Sequence, residues 1–100
     1  MKELLNITLF TENSIEDFVT LFIKDKMIPQ ITALFSVESV AAYKIMADDY
    51  NHGVRMAIMI TGRHGEKIDH EKIINFAMNV IYTITNPSQT QLIPTLMQSL

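Results

Sequence analysis

Ile31-Thr32-Ala33-Leu34-Phe35-Ser36-Val37-Glu38-Ser39-Val40-Ala41-Ala42-Tyr43-Lys44-Ile45 runs for fifteen residues without Gly or Pro. Ile31, Ala33, Phe35, Val37, Ala41, Tyr43 and Ile45 fall on one side of an extended chain, with Ser39 the single polar member, and Thr32, Ser36, Glu38 and Lys44 fall on the other. The alternation predicts one long, half-buried strand. Strands in compact domains usually run to about 3–10 residues. One of this length would overhang its own domain and call for a second chain to cover it.

Before this run, Leu5, Ile7 and Leu9 alternate with Asn6 and Thr8, which predicts a first strand over 4–11. Asn13 or Ser14 can then cap a helix whose first turn carries Glu16 and Asp17 against the positive end of the dipole. Its apolar stripe is Ile15, Phe18, Val19, Phe22 and Ile23. Pro29 disfavours helix at Ile28, so the helix is expected to end near Lys26 or Met27. After the run, residues 46–53 read as a polar loop ending in Gly53, and residues 54–61 as a central strand. Asp69 can cap a second helix with Ile73, Ala77, Val80, Ile81 and Ile84 on one stripe. Gln91 opens a last short strand, and Pro94 inside it requires an edge position or a bulge.

The order strand, helix, strand, strand, helix, strand predicts a ferredoxin-like βαββαβ α+β fold over 1–100, a four-stranded antiparallel sheet with two helices on one face. A second sheet face bearing Arg55, Ala57 and Met59 would be left bare and substantially apolar, which points to oligomerisation through the sheet.

Composition narrows the class. Eight basic against eleven acidic residues leave a net charge of −3, without the electrostatic footprint of a nucleic-acid binder. The absence of cysteine excludes disulfides, thiolate metal sites and cysteine nucleophiles. No apolar run approaches the roughly 18 residues of a membrane span, and no secretory signal is visible after Met1, so a cytoplasmic location is expected.

Val37-Glu38-Ser39-Val40-Ala41-Ala42-Tyr43-Lys44, Asn86-Pro87-Ser88-Gln89 and the element order together resemble the CutA family of divalent-cation tolerance proteins, in the superfamily of nitrogen-regulatory PII trimers. The first window is similar to that family's second strand. The second stands in the place of its His-Pro-Tyr-Glu motif. The chain departs from the pattern at Gln30, where the family commonly has Cys, at Tyr43, where it has Trp, and at Asn86, Ser88 and Gln89. The resemblance implies a homotrimer whose long hairpins clasp their neighbours. A PII-like protein is equally consistent, and there the loop at 46–53 would contact a protein partner and close over ligands between subunits.

Two constellations carry candidate chemistry. Asp48, Asp49 and His52 offer two carboxylates and an imidazole for a divalent metal ion, against the plainer reading of a solvated hairpin loop. Gly62-Arg63-His64-Gly65 lies between strand and helix, so its N–H groups with Arg63, His64 and Lys67 could hold the phosphate of a nucleotide, against the plainer reading of a tight turn. Asn86 and Gln89 of a neighbouring chain would stand opposite. His70 reads as solvent-facing, and Met46, Met56, Met59 and Met78 as packing rather than soft-metal ligands.

No enzyme is expected. Ser-His-Asp ordering and phosphate-loop spacing are missing, and an acylphosphatase of this fold would need an Arg and an Asn where only Asn13 stands. An RNA-recognition module would need aromatics on the third strand, which offers Met and Ala. The expected activity is binding: a metal response, a nucleotide sensor, or an interaction module without ligand.

Overall fold

The computed structural model describes residues 1–46 and 53–100. Strand β1 spans Glu3–Glu12 and leads through a single tight turn, Asn13–Ile15, into helix α1. Helix α1 is continuous through three segments, Glu16–Phe22, a widened π turn over Ile23–Met27, and Ile28–Leu34. Strands β2, Ser39–Ile45, and β3, Gly53–Thr61, follow, then helix α2, His70–Ile81, and strand β4, Thr90–Gln98. The strands lie in the order β2-β3-β1-β4 with every neighbour antiparallel. This is the expected α+β ferredoxin-like arrangement.

Strand alternation decides the layering. Leu5, Ile7 and Leu9 of β1 and Val54, Met56, Ile58 and Ile60 of β3 are buried on one face, in one core with Val19, Ile23, Met27 and Ile31 of α1 and Ile73, Ala77 and Ile81 of α2. Both helices therefore cover the same side of the sheet. Pro94 pairs with Ile7 in β4, which is an edge strand, as a residue lacking a ladder donor requires. No helix among the described residues is long and apolar enough to cross a membrane.

The fifteen-residue strand does not form. Its first four residues finish α1, residues 35–38 link, and only Ser39–Ile45 is strand. The reason is a competing period: Val19, Ile23, Met27 and Ile31 recur every four residues and are each at most 1% exposed. That stripe buries four large side chains, whereas the alternation offers Ala33 as its second inward member. Pro29 is tolerated because the turn before it is widened, which moves the Asp25 carbonyl away from the pyrrolidine ring. Nor does the β2–β3 hairpin overhang among the described residues, because Gly53 pairs with Glu12, the last residue of β1. The faces of β2 are also exchanged. Val40, Ala42 and Lys44 lie across from Ile60, Ile58 and Met56 on the helix side, and Ala41, Tyr43 and Ile45 lie on the other.

Both expected caps differ in detail. The N-cap positions of α1 and α2 make no side-chain cap hydrogen bond; the Ser14 hydroxyl instead donates to Glu12 Oε2, and Asp69 meets Lys72 Nζ at 3.6 Å. The linking residues are nonetheless anchored. Phe35 packs edge-on against Phe76 with ring centres 5.8 Å apart, Val37 is buried, and the Glu38 N–H donates to Thr61 O at 2.8 Å.

Candidate functional site

Four regions outside the core carry polar chemistry: the uncovered sheet face, the two ends of β1, and a cleft between α1 and β2. On the uncovered face, register places Leu4, Asn6, Thr8 and Phe10 of β1 between Thr61, Met59, Ala57 and Arg55 of β3 and Met97, Thr95, Ile93 and Gln91 of β4. Ala41, Tyr43 and Ile45 extend the row on β2. The inner two strands contribute half-buried side chains although no element among the described residues lies over them. At the centre, Asn6 Nδ2 donates to Thr8 Oγ1 at 3.2 Å while Asn6 Oδ1 is shut from solvent without a hydrogen-bond partner. Turning the amide over only exchanges which of its two atoms is left orphaned.

At the start of β1, the 62–67 segment is stitched to the strand. The Gly62 N–H donates to Glu3 O and the Gly65 N–H to Met1 O, both at 2.8 Å, and the Ile68 N–H donates to Glu3 Oε1 at 2.6 Å. A Cβ at Gly62 would stand 3.1 Å from Glu3 O, and Gly65 has φ of 79°, so both glycines serve the turn. The Gly62, Gly65 and Ile68 N–H groups are thus already engaged and are not offered to an anion. Arg63, His64 and Lys67 are exposed; Arg63 Nε lies 3.9 Å from Glu66, and the Met1 ammonium lies 3.3 Å from His64 Nδ1.

At the other end of β1, Asn86 and Gln89 hold a turn together. Asn86 Oδ1 accepts from the Ser88 N–H at 3.0 Å and from the Ser88 hydroxyl, and Asn86 Nδ2 donates to Gln89 Oε1 at 3.0 Å. Beneath it lies a hydroxyl chain: Thr90 Oγ1 meets Thr11 Oγ1 at 3.1 Å and Thr85 Oγ1 at 2.9 Å, and the Tyr82 hydroxyl donates to Thr90 O at 3.1 Å. Thr90 and Thr11 are the buried polar residues of the core. Thr90→Val keeps the shape and strands the Thr11 hydroxyl, so a loss of about 1–3 kcal/mol is expected, read as a lower urea midpoint with unchanged slope.

Within one chain the two groups of expected ligand residues are thus at opposite ends of a ten-residue strand, on the order of 30 Å apart. Asp48, Asp49 and His52 lie outside the described residues, and among the described residues no group of three or more His, Cys, Asp or Glu is placed to hold a metal.

A further concavity of ≈ 180 Å³ lies on the helix side, between α1 and β2. It is lined by Glu16, Asp17, Thr20, Ile23 and Lys24 and, across from them, by Ala42, Lys44 and Met56. Lys44 Nζ and Glu16 Oε2 close one end at 2.9 Å, and the Thr20 hydroxyl reaches Met56 Sδ at 3.8 Å. The sequence reading did not single out this group. Its signal was Asp17, Thr20 and Lys24 at spacings of three and four on one helix.

Compared with known proteins, the chain matches no family model and no curated protein.

Proposed function

We propose that the chain is a homotrimeric binding protein of the kind its CutA and PII resemblance implies, acting by holding a ligand or partner rather than by turnover. The observation that supports this reading is the uncovered sheet face, with a shielded and unpaired Asn6 amide atom at its centre. Four strands of about nine residues present on the order of 600 Å². Three such faces meeting about one axis would bury on the order of 1,800 Å² in the whole assembly, within the range of specific association. A neighbouring copy would cover Ala57, Met59 and Leu4 and would offer the orphaned amide a partner. The assembly rests on this face and not on a protruding ribbon.

An assembly also gives the dispersed ligand residues a way to meet. Arg63, His64 and Lys67 of one copy could face Asn86 and Gln89 of the next around an adenine nucleotide, whereas Asp48, Asp49 and His52 are the candidate ligands for a divalent cation in the metal-response reading. A protein partner would engage residues 46–53. Light scattering on the full chain is expected to return three times the chain mass of 11.4 kDa. A monomer at tens of micromolar overturns the reading. Calorimetry with copper, zinc and adenine nucleotides then separates metal binder from nucleotide sensor, and silence across that panel leaves an interaction module.

A further inference from the structure

Asp17, Thr20 and Lys24 form one polar line along α1, and all three border the cleft against β2. Glu16 and Lys44 neutralise each other at its end, whereas Asp17 and Lys24 form no ion pair among the described residues. The cleft therefore faces a ligand with one negative charge, one positive charge and a hydroxyl between them. Below that line the floor is apolar: Ile23 and Met56 are buried and Ala42 is half-buried.

We propose that this cleft binds a free α-amino acid with an aliphatic side chain. The ammonium group sits on Asp17, the carboxylate takes Lys24 and the Thr20 hydroxyl, and the side chain lies on Ile23, Ala42 and Met56. Spacing supports this order. Seven residues of helix separate Asp17 from Lys24 by about 10 Å along the axis, and a helical side chain leans toward the N-terminus, which carries the lysine back over Thr20. A zwitterion with a hydrogen bond of about 2.9 Å at each end spans roughly 8–9 Å between its two partners. Size agrees as well. A cleft of ≈ 180 Å³ is room for about six waters at about 30 Å³ each, the bulk of leucine or methionine. Thr20 is available too, since its present acceptor is a thioether at 3.8 Å, a weak partner that a carboxylate would displace.

The cleft is on the helix side of the sheet, and of its lining residues Tyr43 alone alternates onto the uncovered face, so the proposal does not depend on how that face is covered. It is tested by following amide shifts of the isotope-labelled full chain during titration with L-leucine and L-methionine. Shifts are expected at Thr20, Lys24, Ala42 and Met56. 4-Methylpentanoate, which lacks the ammonium group, and 3-methylbutylamine, which lacks the carboxylate, are each expected to bind at least about tenfold more weakly. Lys24→Ala and Asp17→Asn are each expected to weaken leucine by about tenfold or more while the chain stays folded, with an unchanged thermal midpoint for Lys24→Ala and a small drop for Asp17→Asn, which gives up a charge in the first turn of α1. Silence to both amino acids up to about 10 mM, equal binding of the two analogues, or undiminished binding by the two variants would each overturn it.

Discussion

Ile31→Ala lowers the free energy of unfolding by about 2–5 kcal/mol, and Leu34→Ala changes it by less than about 0.5 kcal/mol. Ile31 is fully buried at the base of the α1 stripe, beneath Val19, Ile23 and Met27. Truncating it removes the transfer free energy of three carbons and leaves a void that the helix, fixed by its neighbours, cannot close. Leu34 is 63% exposed at the last helical position, so its loss removes little from the core. A domain of this size is stable by about 5–15 kcal/mol, which makes the first substitution a severe one. Urea unfolding of both variants checks the pair. Equal effects would mean that α1 does not continue through Pro29 with Ile31 on its inner side.

On the proposed assembly through the uncovered face, Met59→Glu is expected to yield folded monomers. Met59 lies on the uncovered face of β3 between Asn6 and Ala41, far from the helix layer. In the free chain a carboxylate there can reach water. In an assembly it loses that solvation, and symmetry brings it toward its own like-charged copies. A penalty of a few kcal/mol per contact corresponds to a loss of on the order of 100-fold in association. Lys72→Gln, exposed on α2 and changing net charge by the same one unit, serves as the control. A Met59→Glu variant that keeps the wild-type mass would place the meeting surface elsewhere.

Strands β1 and β3 were legible because each alternates large aliphatic residues with residues that need no core, so one face alone can be buried. Pro94 likewise announced an edge. Helix α1 was not legible beyond Met27, because two periods overlap at Ile31: it belongs to a four-residue ladder running backward and to an alternating run leading forward. Local sequence ranks these equally, and the decision falls to the volume buried beneath the sheet. The same misreading hid the cleft. With residues 31–45 taken as one strand, nothing indicated that Ala42 and Lys44 would come to rest beside Asp17, Thr20 and Lys24. For the expected nucleotide residues, types and turn were readable but position was not, since only the pairing of β1 shows that Arg63 and Asn86 adjoin its opposite ends.

The two rims of the sheet differ. Strand β4 carries a proline at its midpoint, while β2 has an unbroken backbone with Lys44 as its sole charge. Extension by hydrogen bonding from the outer rim is thereby open at β2 and obstructed at β4. Two single chains joining through β2 would each use up the one receptive sheet border among their described residues, and growth from that pair would stop there. Accidental association of unassembled chains by this route is therefore self-limiting, yielding pairs in place of fibrils.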